Sequence, residues 1–214
     1  MSGTQLPFDL PPRNAMGAAD FVASRSNEAA LTLIDSWPNW PAPALAVHGP
    51  AGCGKTHLGH VFQEKVGDTA LFLTAPTRLP DLPERPVLIL DEPRLDETDF
   101  FHLLNRIKSD GGALLILSRE APARWDVKLP DLASRLKAIP TVEVSPPDDA
   151  LLAAVLVKHF ADRQIHVAPD VIDYLLKHTE RSFAAAAETA AKLDRAALAE
   201  GRAITIPLVK RTLA

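Results

Sequence analysis

The sequence predicts an α/β fold in which a five-stranded parallel sheet is followed by a small all-helical domain. Three observations carry this expectation. Residues Ala44 to Leu58 read ALAVHGPAGCGKTHL, an apolar run that enters a glycine-rich loop and leaves as a helix. Residues Val87 to Glu92 read VLILDE, four apolar residues that end in two carboxylates. Beyond Ser145-Pro146-Pro147-Asp148-Asp149, every segment has the helical period.

The first stretch fits GxxxxGK[ST] at every fixed position through Gly49-Pro50-Ala51-Gly52-Cys53-Gly54-Lys55-Thr56, the Walker A phosphate-binding loop. The chemistry needs a strand to deliver the loop and a helix to leave it, because backbone N–H groups and the helix N-terminus make the anion site together. Leu45 to Val47 suits the strand, and Lys55 to Lys65 carries Leu58, Val61 and Phe62 at helical spacing. With ADP or ATP bound, Lys55 is expected to reach the β phosphate and, in ATP, the γ phosphate as well, and Thr56 to bind Mg²⁺. His57 follows at the start of the helix and is placed with Pro50 to Thr56 in the nucleotide site. Val87-Leu88-Ile89-Leu90 then reads as a Walker B strand that releases Asp91 and Glu92 at the sheet edge where nucleotides lie. Asp91 is expected at Mg²⁺, and Glu92 as the acceptor that orients or deprotonates the attacking water.

The other elements follow in order. Residues 1–18 lack a sustained period and read as an extended arm, within which Gln5-Leu6-Pro7-Phe8-Asp9-Leu10 clusters apolar side chains beside a glutamine. Either a docking peptide or an arm folded back on its own domain accounts for that cluster. Asp20 to Trp37 looks like an amphipathic helix with caps available at Ser26 and Asn27, ended by the prolines that follow. Thr69 to Leu73 reads as a strand. Thr74 to Pro86 reads as a loop, because four prolines forbid a helix there. Asp96 to Asp110 is a predicted helix stopped by Gly111-Gly112, and Ala113 to Leu117 a fourth strand. Ser118 at its exit reads either as a sensor of the γ-phosphate or as a plain strand cap. A short helix over Leu129 to Lys137 displays Arg135, and Thr141 to Val144 makes the fifth strand. Residues 19–145 thus form the α/β domain. Residues 146–214 form the helical one, with predicted helices over Leu151 to Gln164, Pro169 to His178, Ser182 to Ala199 and Ile206 to Leu213.

Composition bounds the partners. The 214 residues are 47% hydrophobic and 23% charged, with a formal net charge of -4. That mildly acidic balance argues against broad attachment to nucleic acid, which needs a basic face. No apolar run approaches the length that spans a bilayer, and a cytoplasmic protein is expected. Cys53, the only cysteine, sits in the phosphate loop, so no intrachain disulfide can form and plain packing is its expected role. The seven histidines show no metal spacing, and the pair His57 and His60 reads as structural.

A Walker A strand, a Walker B strand, a polar exit from strand four, an arginine on a short helix before strand five and a helical lid resemble the AAA+ P-loop NTPases. GPAGCGKTHL, LPDLASRL and GRAITIPLVK are similar to stretches of the DnaA initiators and, more closely, of the Hda-type regulatory inactivators of DnaA. QLPFDL resembles the hexapeptide by which such regulators bind the DNA polymerase III sliding clamp. The resemblance implies that Arg135 is an arginine finger acting on nucleotide held by a neighbouring protomer. It implies that Arg181 is the lid arginine called sensor 2, that Phe21 and Val22 lie beside the adenine, and that Gln5, Leu6, Phe8 and Leu10 contact the clamp. DnaA is the implied partner, and self-association is compatible with the family. Two departures matter. Only the proline-rich loop stands where the initiator inserts DNA-gripping helices, so direct sequence-specific DNA binding is not expected. Arg119 follows Ser118 where the initiator has an acidic residue, which leaves the sensor role of that strand end open. A regulator of DnaA, an independent ATPase of the helicase-loader type, and a nucleotide-dependent interaction module without hydrolysis are the readings to be weighed.

Overall fold

The computed structural model describes residue 17 and residues 21–213. Five strands, β1 (Ala44–His48), β2 (Ala70–Thr74), β3 (Val87–Asp91), β4 (Ala113–Ser118) and β5 (Thr141–Glu143), form one parallel sheet in the order β2-β3-β4-β1-β5. Helices α1 (Glu28–Asp35) and α2 (Lys55–Val66) cover one face. Helices α3 (Glu97–Asp110) and α4 (Pro130–Lys137) cover the other. The central strands are apolar at successive positions because both faces are buried, with alternate side chains going to opposite cores. Leu45, Val47, Ile89, Leu115 and Leu117 pack toward Leu58 and Phe62 of α2. Ala44, Ala46, Leu88, Leu90, Leu114 and Ile116 pack toward Phe100, Leu103, Ile107 and Leu136 of α3 and α4. Pairing aligns the strand ends, with His48 opposite Ser118 and Asp91 opposite Leu117. The register therefore brings the exits of β1, β3 and β4 to one edge.

The lid consists of α5 (Asp149–Ala161), α6 (Pro169–His178), α7 (Phe183–Glu200) and α8 (Ile206–Leu213). It has its own core, in which Leu152, Leu156 and Phe160 of α5 meet Ala186, Ala190 and Leu193 of α7. The small alanines let these helices approach closely. Asp148 starts α5 by accepting from Leu151 N at 2.8 Å, and Ser182 starts α7 by accepting from Ala185 N at 3.1 Å.

The segment before β1 differs from the expected helix over Asp20 to Trp37, since α1 begins only at Glu28. The cause is Asn27, which is buried and holds residues 22–27 in a turn. Its Oδ1 accepts from Ser24 N at 2.9 Å and its Nδ2 donates to Val22 O at 3.0 Å. Ser26 pairs with the Ser24 hydroxyl instead of capping a helix, and its carbonyl accepts from Ser145 N at the lid junction. The remaining elements agree with the predicted ones to within a few residues at their ends.

Candidate functional site

The loop Gly49 to Gly54 leaves β1 and turns into α2, and its glycines are required by what surrounds them. A Cβ on Gly49 would lie 2.2 Å from the Val144 carbonyl oxygen, and one on Gly52, at φ 73°, would lie 2.6 Å from Ser182 Cβ. Pro50 and Ala51 form the rim, while Cys53 faces inward and is buried. That burial pushes the Cys53 thiol up, and the adjacent Lys55 charge only partly opposes it. The lid closes directly on this loop. Phe183 N donates to Gly52 O at 3.1 Å, and the Phe183 ring lies against Gly54.

Lys55 is 6% exposed, and its Nζ donates to Gly49 O at 2.8 Å and Pro50 O at 3.0 Å. The same ammonium lies 3.8 Å from Glu92 Oε1. Thr56, one residue into α2, donates through Oγ1 to Asp91 Oδ2 at 2.7 Å. Walker A and Walker B therefore meet across the sheet edge at two pairs, Lys55 with Glu92 and Thr56 with Asp91. Glu92 takes a left-handed backbone conformation (φ 50°), and its N–H donates to Leu117 O at 2.8 Å. This fixes it at the exits of β3 and β4, where Arg119 Nε also stands 3.8 Å from Oε1.

Ser118 is buried, but its hydroxyl donates to Glu120 O at 2.7 Å, as a strand cap does. His57 faces the segment before α1, with Nε2 3.1 Å from Gly17 O and its ring edge-on to Phe21 at 5.2 Å. Phe21 and the neighbouring Val22 are thus carried to the first turn of α2. His60 instead stacks on Phe72 at 4.4 Å, so the two histidines serve different contacts. Arg181, just before α7, pairs with Asp149 Oδ1 at 2.9 Å, and its side chain is 61% exposed.

Arg135 does not join this edge. It lies on α4 with its guanidinium 4.8 Å from the centre of the Phe101 ring of α3, beside a cleft of 200 Å³ lined by Pro43, Leu104, Ile107 and Ile139. Gln5, Leu6, Phe8 and Leu10 lie outside the described residues. Among the described residues, no group of three or more His, Cys, Asp and Glu side chains gathers as a metal site, and no helix is long and apolar enough to cross a membrane.

Several contacts were not readable in advance. Asp149 as the partner of Arg181, and Ser182 and Phe183 as the lid's seat on the loop, are brought in by tertiary packing alone. Glu97, whose carboxylate reaches the start of α4, belongs with them.

A family model, Hda lid domain, matches residues 148–213. The lid thus belongs to the Hda lid family, and the whole chain has the AAA+ fold. The chain is also 30% identical over 206 residues to an uncharacterized protein of Haemophilus influenzae, a match covering 86% of this chain and 88% of that one. Its fold is similar to that of domain III of the replication initiation protein DnaA from Thermotoga maritima, with a TM-score of 0.76 at 17% identity, over 95% of this chain and 98% of the other. It is similar as well to AMPPCP-bound DnaA from Aquifex aeolicus, with a TM-score of 0.65 at 21% identity, over 91% of this chain and 68% of that one.

Proposed function

We propose that this protein is an adenine-nucleotide-holding regulator that stimulates ATP hydrolysis on the initiator DnaA and so turns the initiator off. Its tether in this reading is the segment Gln5 to Leu10, bound to the DNA-loaded sliding clamp. The observation that carries the proposal is the separation of the two cationic centres. Lys55 is held in its own phosphate loop by Gly49 O and Pro50 O, whereas Arg135 rests on Phe101 of α3, away from that loop.

The loop, Lys55 and the lid suit an adenine nucleotide, with Phe21 and Val22 beside the base and Arg181 approaching from the lid. Its phosphates supply the anion that Lys55 and the loop N–H groups neutralise. The hydroxyl of Thr56 and the carboxylate of Asp91, converged at 2.7 Å, are the hard oxygen donors that Mg²⁺ takes, so these two residues would hold it. Glu92 is the acceptor available to a water molecule at this chain's own edge. On DnaA, the Arg135 guanidinium stabilises the charge that develops on the γ-phosphoryl oxygens as water attacks. Its planar fork satisfies two of those oxygens at once, which a lysine cannot do.

The test is hydrolysis of labelled ATP on DnaA in the presence of DNA-loaded clamp. Arg135→Ala should keep nucleotide binding and lose roughly three to five orders of magnitude of stimulation, the span of an arginine finger. Arg135→Lys should recover little. Undiminished stimulation by Arg135→Ala overturns the proposal in favour of an independent ATPase, the reading that the intact set Lys55, Asp91 and Glu92 supports. The triple replacement Gln5→Ala, Leu6→Ala and Phe8→Ala should preserve the fold and eliminate clamp binding in a titration. Equal clamp affinity removes the tether.

A further inference from the structure

Helix α4 begins without a cap of its own. Its first flanking residue is Leu129, whose side chain can accept nothing, and Pro130 occupies the first turn. The N–H groups of the two residues that lead into it are met from another helix. Glu97, in the first turn of α3, accepts from Lys128 N at 2.9 Å through Oε1 and from Leu129 N at 2.7 Å through Oε2. Each carboxylate oxygen takes one amide, and these bonds hold the Glu97 carboxyl below the usual glutamate range. Two further contacts join this part of α3 to the residues before α4 and to its last turn. Phe100 meets Trp125 edge-on at 5.5 Å, and Phe101 lies under the Arg135 guanidinium. Helix α4 is only eight residues long and is gripped at its N-terminus by one carboxylate.

We propose that Glu97 is a positioning residue for Arg135, acting through the start of α4. This rests on the finger reading of Arg135. A guanidinium that must meet a phosphoryl group on another protein cannot be corrected by its own site, so its aim is fixed by the helix that carries it. Leu132 still seats the first turn of α4 in the core, so losing both acceptors loosens the entry to the helix and widens the range of positions the finger takes. Misplacement by about an ångström can cost on the order of a hundredfold in rate.

The full-length protein is assayed for stimulated hydrolysis on DnaA with DNA-loaded clamp, over a range of regulator concentrations. Glu97→Ala should lower the maximal stimulated rate by about tenfold or more, with the half-saturating concentration little changed. Glu97→Gln keeps one acceptor oxygen and should recover part of that rate. Amide hydrogen exchange at Lys128 and Leu129 should quicken in Glu97→Ala, while retained nucleotide and an unchanged melting profile of the sheet certify the fold. Full stimulation by Glu97→Ala beside an inactive Arg135→Ala overturns the inference and leaves the finger standing. A rise in half-saturation alone assigns Glu97 to partner contact and overturns it as well. Full stimulation by Arg135→Ala overturns the finger and this inference with it.

Discussion

Lys55 and Arg135 are both cations of an AAA+ protein, yet their surroundings differ in kind. Lys55 is buried, touches two carbonyl oxygens of its own loop and faces Glu92, all within one edge of the sheet. Arg135 is half-buried on the opposite layer, lies over a phenyl ring, and depends for its place on a carboxylate of another helix. The first is built by a contiguous motif and turned inward. The second is built by contacts more than thirty positions apart in sequence and turned outward. In the proposed reading these are a binding centre and an acting centre, and they can be altered separately.

The largest expected effect lies at the phosphate loop. Lys55→Ala should abolish retention of adenine nucleotide, measured by affinity titration of the purified protein, since it removes the only lysine in the loop. Gly49→Ala should do the same by a different route. Its new methyl group would sit 2.2 Å from the Val144 carbonyl, a backbone atom that cannot step aside cheaply, so the loop itself must shift. Both variants leave the surroundings of Arg135 untouched. Unchanged affinity in Lys55→Ala contradicts the site as drawn here.

Arg181 sits between the two cases, and a pair of variants sharpens where it belongs. Its bond to Asp149 joins two side chains that are 61% and 59% exposed, and such a pair contributes no more than about 1 kcal/mol to stability. Thermal melting should therefore change little in Arg181→Ala or in Asp149→Ala. Nucleotide affinity should separate them. Loss of a charge-assisted contact to phosphate weakens binding by roughly tenfold to a hundredfold in Arg181→Ala, whereas Asp149→Ala frees the arginine and should not weaken it. Equal effects in both variants identify the arginine as a lid strut.

The same contrast explains how much of the molecule was legible in advance. Strands were readable because burial on both faces demands unbroken apolar runs, as in VLIL and ALLIL, and each ends in a residue that the register brings to the common edge. Gly49 to Thr56 were readable as the loop between β1 and α2 because the Walker A pattern fixes their spacing, and Asp91 and Glu92 as a strand end because they close an apolar run. The start of α1 was not, because it depends on Asn27 spending its side chain on Val22 and Ser24, a choice that looks the same in sequence as a helix cap. The capping of α4 by Glu97 has no local signal either. A glutamate in the first turn of α3 reads as an ordinary favourable charge at that helix's own N-terminus. Arg135 came from family resemblance alone, since nothing in its spacing separates it from a surface arginine.

The smallest expected effect tests the tie that holds α4. Glu97 has a folded-state affinity for protons lowered first by the Lys128 N–H and then by the Leu129 N–H. A carboxylate depressed in this way contributes stability that is present above the unfolded glutamate range and is lost as pH falls through the lower folded value. The acid limb of the melting curve, from about pH 5 downward, should therefore be slightly shallower in Glu97→Gln than in the wild type. Asp110 and Glu188 are lowered too, by Ser109 with Arg106 and by Lys192 respectively, so the wild-type slope is shared and the difference between the two proteins isolates Glu97. A carbon-detected titration of the Glu97 carboxyl gives the direct measure, with a midpoint expected below that of an unperturbed glutamate. A midpoint at or above the ordinary value means that Lys128 and Leu129 do not donate to it in solution, and α4 is then held by its buried Leu132 and Leu136 and by the Phe101 ring under Arg135.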